Sequence, residues 1–324
     1  MRRRDFLGVF SGATIWPFAA SGQPGVLPIV GLLSGNRFDD RELDAIRAGL
    51  REAGYNEAKN VAIEYRSAEG RYDRLPSLAE ELVRRPVALM AAIGGTVSAV
   101  AAKAATATIP IVFMNGGDPI RSGLVTSLNR PGANVTGVSF FVTTLGAKRL
   151  ELLRELMPTV ATVGYLANRA NANAELERAD VEAAARALNL NIHVQWASSE
   201  RDFEAAFANF NAQRAGAIIV SADAFFLSRR SELAALGLRH RLPLMCDVRE
   251  HAIAGTLMSY GTDRIGAYRQ GGIYIGKVLR GERPAELPVM QSTKFEFVIN
   301  LKTAKALGVI VPQALLVAAN DVIE

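Results

Sequence analysis

One pattern limits this chain more than any other: short apolar runs alternate with amphipathic stretches, and the alternation passes through the chain twice. LPIVGLLS (27–34) precedes DDRELDAIRAGLREAGY, where Leu43, Ile46, Leu50 and Ala53 recur at helical spacing. Asp39 and Asp40 stand at the positive end of that helix and Gly54 stops it. NVAIEYR, VALMAAI, IPIVFMN and NVTGVSF read as further strands, with YDRLPSLAEELVRR, TVSAVAAKAAT and DPIRSGLVTSL as the helices between them. The order then restarts. TLGAKRLELLRELMP, NAELERADVEAAARALN, ERDFEAAFANFNAQR and SRRSELAALGLRHR read as helices, and TVGYLAN, NIHVQWA, AGAIIVSAD, LPLMCD and TLMSYG as strands. DRIGAYRQGGIYIGKVLRGE is a long helix, and FEFVIN and LKTAKALGV close the chain as a strand and a helix. Such alternation predicts an α/β fold of two Rossmann-like lobes, each a parallel sheet with helices on both faces.

The length agrees, since 324 residues exceed what one core usually holds. No Gly/Ser linker separates the blocks, so the junctions around Phe140–Thr144, Tyr260–Asp263 and Met290–Lys294 predict a hinge of several crossovers. The expected lobes are 27–143 with 262–290, and 144–261 with 291–324.

Residues 1–22, MRRRDFLGVFSGATIWPFAASG, stand apart. Arginines, a modest apolar run and small residues predict an export signal cleaved near Gly22. Arg3-Arg4-Asp5-Phe6-Leu7 resembles the twin-arginine export motif. The run is too short and too broken by Gly and Pro to span a bilayer. Its removal lowers the formal charge from +5 to about +3. Lys and Arg are scattered along helix faces rather than grouped with aromatics, which argues against a nucleic-acid groove. The single cysteine, Cys246 in LPLMCDV, reads as a small buried hydrophobe, and no Cys/His cluster of metal-ligand spacing exists.

Ligands of open parallel sheets bind beyond the carboxyl ends of the strands. The residues there are Ser34-Gly35-Asn36, Gly94-Gly95-Thr96 and Asn115-Gly116-Gly117-Asp118 in the first block. The second block offers Asn168-Arg169, Ser221 to Phe226, Asp247 and Ser259-Tyr260-Gly261. IGGT (93–96) lacks the Gly-Lys-Ser/Thr of a phosphate loop and the third glycine of a dinucleotide fingerprint. It reads as a helix start capped by Thr96, either an ordinary turn or a seat for a carboxylate. Asp118 before Pro119 reads as a cap. Asp223 ends an apolar strand and either caps the next helix or pairs with a ligand amine, with Phe225 covering a side chain. No G-x-S-x-G, H-E-x-x-H or paired-carboxylate motif is present.

Together these stretches resemble the periplasmic solute-binding proteins of ABC importers, and more narrowly their tryptophan/tyrosine-type family. The resemblance is carried by GLREAGYNEAKNVAIEYRSAEGRYDRLPSLAEELVRRPV, AAKAATATIPIVF, GGDPIRSGLVTSLNRPGANVTGVS, LGAKRLELLRELMP, QRAGAIIVSADAFF, GTLMSYG and TKFEFVINLKTAKALG. It implies a type I periplasmic binding protein fold, a ligand closed in the inter-lobe cleft, a monomeric periplasmic carrier without cofactor or metal, and an ABC permease as partner. Its cleft residues would be Ser34, Gly95, Thr96, Asn115, Asn168, Asp223 and Tyr260, with Phe225 and Glu250. Arg37 or Arg169 could pair with a second ligand carboxylate. A sensory ligand-binding module and an α/β enzyme with a dispersed active site stay open as alternatives.

Overall fold

A computed structural model describes residues 27–141, 145–171 and 173–324; the expected signal and Val142–Thr144 of the first junction lie outside them. The first half runs β1 (Ile29–Ser34), α1 (Asp40–Glu52), β2 (Ala62–Ser67), α2 (Leu75–Val83), β3 (Val87–Ile93), α3 (Thr96–Ala105), β4 (Ile111–Asn115) and β5 (Val135–Ser139). Next come α4 (Gly146–Leu156), β6 (Thr162–Ala167), α5 (Ala174–Ala187), β7 (Asn191–Trp196), α6 (Phe203–Ala212), β8 (Ala217–Val220), α7 (Ala224–Ser228) and α8 (Arg230–Arg239). The rest is β9 (Leu244–Cys246), α9 (Arg249–Ile253), β10 (Met258–Thr262), α10 (Arg264–Leu279), β11 (Met290–Gln291), β12 (Phe295–Asn300), α11 (Leu301–Leu307), α12 (Gln313–Ala318) and β13 (Asp321–Ile323).

The first lobe is built on a six-stranded sheet of order β11-β5-β4-β3-β1-β2, the second on a seven-stranded sheet of order β13-β12-β10-β9-β8-β6-β7. The chain passes between the sheets after β5, after β10 and after β11. Each sheet has an apolar cluster on both faces. Leu32, Leu89 and Val112 face one side of the first sheet, and Leu33, Met90 and Phe113 the other. Tyr165 and Ile219 face one side of the second sheet, and Leu166 and Ile218 the other. Two-faced burial explains why these strands read as continuous apolar runs rather than alternating ones. Each fully buried Leu or Ile contributes about 2 kcal/mol. Cys246 is buried in this core, as its sequence context predicts.

The helices follow their periodicity. Leu43, Ile46 and Leu50 form the buried stripe of α1, and Asp39 caps it by accepting from the Arg41 amide at 2.9 Å. Ser199 and Asp202 form a reciprocal capping box before α6.

Three expectations need correction. DPIRSGLVTSL forms turns, not a helix: Asp118 Oδ1 accepts from the Ile120 and Arg121 amides, and Gly123 at φ +70° ends the turn after one winding. The second sheet is not wholly parallel, because β12 returns antiparallel to β10 with Tyr260 opposite Phe297. The chain closes with α12 and β13, beyond the expected last helix, and β13 extends the second sheet beside β12.

Candidate ligand site between the two lobes

Both sheets turn their carboxyl ends toward one cavity of about 470 Å³. The switch point of the first sheet lies between β1 and β3, and that of the second between β6 and β8. Loops leaving those strands and their neighbours β4 and β9 wall the cavity: Asn36–Asp39, Gly94–Val97 and Asn115–Gly117 from the first lobe, and Asn171, Asn173, Ala222–Ala224 and Asp247 from the second. Arg264 and Tyr268 join them from α10.

On the first-lobe wall, Gly94 (φ +67°) and Gly95 (φ +111°) hold backbone geometry that disfavours a side chain. Gly95 occupies the cap position of α3, and no side chain caps that helix. The amide end of α3, with its partial positive charge, therefore stands at the cavity wall. Thr96 is the first helical residue rather than the expected cap. Its Oγ1 instead accepts from Asn173 Nδ2 of the second lobe at 2.7 Å. Asn115 is buried at the end of β4; its Oδ1 accepts from the Gly117 amide, while its Nδ2 has no partner.

The second-lobe wall is acidic. Asp223 Oδ1 accepts from the Phe225 and Phe226 amides, capping α7, and from Asn168 Nδ2 at 3.2 Å. Burial pushes the Asp223 carboxyl up to about 6, partly offset by those donors. Asp247, at the end of β9, is buried and likewise raised by desolvation. Beneath them lies a fully buried pair, Arg149 Nη1 to Glu177 Oε1 at 3.4 Å. Arg149 Nε also donates to the Tyr260 carbonyl, and Glu177 accepts from the Ala222 amide. Burial raises Glu177 to about 8 against the opposing pull of Arg149.

The lobes are bonded to each other around the cavity. Asn36 Nδ2 donates to the Ala224 carbonyl at 2.7 Å, and the Tyr72 hydroxyl accepts from the Phe225 amide at 2.9 Å. At the rim Arg121 pairs with Asp180. Beside the crossover Arg264 is held by Glu42 of α1 and stands 3.9 Å from Glu250 of α9. The arrangement is a closed cleft with an amide-rich wall facing an acidic one. Among the described residues no group of three His, Cys, Asp or Glu side chains is placed to hold a metal ion, and no helix is long and apolar enough to cross a membrane.

A family model for ABC transporter substrate binding proteins matches residues 29–323. The chain belongs to this family. A tyrosine-binding protein of Clostridioides difficile (strain R20291) is 28% identical over 260 residues, covering 80% of this chain and 74% of the relative. Among solved structures, an ABC domain from Streptococcus pneumoniae in complex with L-Trp superposes with a TM-score of 0.85 at 26% identity, covering 92% of this chain and 100% of that one. A conserved domain protein from Vibrio cholerae gives a TM-score of 0.86, also at 26% identity and with the same coverage. The fold is that of the type I periplasmic binding proteins.

In this substrate-binding protein, Gly95, Thr96, Asn115 and Asp223 line the cavity, as does Arg37. Five other expected residues are placed elsewhere. Ser34 lies behind the β1 turn, where its Oγ accepts from the Asn36 amide. Asn168 sits behind Asp223 and braces it. The Phe225 ring turns into the second-lobe core against Phe203 and Phe226, because α7 winds it inward; only its amide reaches Tyr72. Tyr260 stacks on Phe295 at 6.1 Å on the far side of the β10–β12 pair. Glu250 borders a separate, smaller depression beside Arg264. Arg169 covers the Trp196 ring instead of the cavity, and Asp118 only caps its own turn. Sequence reasoning missed Tyr72, Asn173, Arg264 and Tyr268. Asn173 had a signal, since NRANAN follows an apolar strand, but Tyr72 and Tyr268 read as ordinary helix residues.

Proposed function

We propose that this binding protein is the exported solute receptor of an ABC importer. It takes a small organic solute, an amino acid or an aromatic carboxylate, into the cleft, closes over it and delivers it to a membrane permease. The observation that carries this reading is the cavity shared by two lobes that bond to each other around it. A site completed only when both walls meet makes occupancy and closure one equilibrium. Its volume is in the range of small-molecule sites. The moving bodies are 27–143 with 262–290, and 144–261 with 291–324. The amide end of α3 at Gly95 and Thr96, with Asn115, receives the ligand carboxylate, and Asp223 contributes negative charge for an amine. The tyrosine-binding relative and the L-Trp complex put aromatic amino acids first among candidates. Residues 1–22 are removed on export, and the mature chain works as a monomer without turning its ligand over.

The test is a thermal-shift screen of the mature protein against amino acids and aromatic acids. A ligand at about 100 times its Kd adds roughly 2.7 kcal/mol of stability, so its melting temperature should climb with concentration and the ligand should be recovered unchanged. Flat curves across the panel count against the receptor reading, and a converted ligand would reassign the cleft to an enzyme.

A further inference from the structure

We propose that Asp247 selects for a charged amine, so that the cleft takes zwitterionic amino acids in preference to the matching simple carboxylic acids; this rests on the receptor reading above. Two acids share the second-lobe wall, and they are employed differently. Asp223 is also tied into its own lobe. Its Oδ1 holds the Phe225 and Phe226 amides and Asn168, which fixes the turn from β8 into α7. Asp247 lines the cavity while only 8% exposed; the Asp247 and Val248 amides act on its carboxyl, and its Oδ1, enclosed on the His251 side, has no hydrogen-bond partner.

The one base near Asp247 is His251, with Nε2 3.5 Å from that oxygen. His251 is itself fully buried, and desolvation drives it down to about 3, so it brings no positive charge. Among the described residues no Lys or Arg is within ion-pair distance of Asp247; Arg149 and Arg264 act on it only from further away. Arg149, beneath the two acids, is engaged with Glu177. A buried carboxylate without a cation is costly, and a ligand ammonium is the group that relieves it. The backbone holds Asp247 in place: a Cβ on Gly261 would stand 1.7 Å from the Asp247 carbonyl oxygen, so β10 lies directly against it. Across the cleft, the buried Nδ2 of Asn115 has no acceptor, and the end of α3 has no side-chain cap. The walls thus suit opposite ends of one zwitterion.

Calorimetric titration of the mature protein with L-tryptophan and indolepropionate, and with L-tyrosine and hydroxyphenylpropionate, tests this. Wild type should prefer the amino acid of at least one pair by about tenfold or more, the worth of a charged hydrogen bond. Asp247→Asn should reduce that preference to within about threefold while keeping the weaker binding of the acid without the amine. Equal wild-type affinity for both members of every pair that binds would overturn this proposal and leave the receptor reading standing. So would a preference that survives in Asp247→Asn. Binding of neither pair would overturn this proposal, while the receptor reading is decided by the wider panel. The wild-type comparison decides even if the Asn variant fails to fold.

Discussion

On the first lobe the cleft wall is Gly94, Gly95, Gly116 and Gly117 backed by Phe38, Tyr72 and Tyr268; on the second it is Asp223 and Asp247 over the Arg149–Glu177 pair. Both walls grow from the carboxyl ends of parallel strands. The first works by backbone and close approach, the second by charge held out of water. The difference teaches that one sheet edge repeated twice does not give two equivalent half-sites. A wall of amides needs little support, because its polarity comes from the backbone. A wall of buried acids needs a counterion and donors behind it, which is what Arg149, Asn168 and the α7 amides supply.

The comparison breaks most readily at Arg149. Replacing it with Met leaves Glu177 buried without its partner, and removing one member of a buried pair costs about 3–5 kcal/mol. Urea unfolding at neutral pH should show that loss, with the second lobe losing amide-exchange protection first. A change below about 1 kcal/mol would mean that the second wall does not depend on its buried counterion.

A smaller effect concerns pH. Asp223 is raised from 3.8 to about 6 in the folded protein, so the folded state binds its proton more tightly than the unfolded chain. Below 3.8 both states are protonated and the group contributes nothing to the pH dependence. Between 3.8 and 6 the unfolded chain ionises first and stability falls; above 6 the loss is complete, at about 3 kcal/mol for a shift of roughly two pH units. Asp223→Asn keeps an acceptor for the α7 amides and cannot ionise. Its stability relative to wild type should rise by about that amount from pH 4 to pH 7 in parallel urea titrations. A difference independent of pH would place Asp223 in a wetter setting than its burial indicates.

How much of this was legible in the sequence follows from what each signal encodes. Periodicity reports which residues are buried, so the two runs of strands and helices could be read from Leu43, Ile46 and Leu50 or from VALMAAI. It does not report strand direction, and FEFVIN looks the same whether it runs parallel or, as found, antiparallel to β10. Strand-end position located the cleft but not the side of the loop on which a residue points. Asp223 and Asn115 face the cavity, whereas Tyr260 and Phe225 turn into packing against Phe295 and Phe203. Tyr72 was out of reach for another reason: its partners, Asp223 and the Phe225 amide, stand about 150 residues away in sequence, on the opposite lobe.

The smallest effect tests the first wall, where close approach rather than charge should decide. A Cβ placed on Gly117 would stand 2.3 Å from Asn173 Nδ2 and 2.4 Å from Thr96 Oγ1, the two atoms that bond across the cleft. Gly117→Ala therefore puts a methyl group into that bond. Overpacking of this kind costs about 1–3 kcal/mol. Much of it falls on the closed form, because once the lobes part Asn173 leaves and Thr96 is free to rotate. A penalty confined to closure appears as a loss of ligand affinity of roughly 5- to 150-fold, with little change in the melting temperature of the ligand-free protein. Calorimetry beside a thermal melt separates the two. Lost affinity at constant stability identifies the first wall as a surface that must meet its partner, whereas a lowered melting temperature at constant affinity would make Gly117 a requirement of the first lobe's own packing.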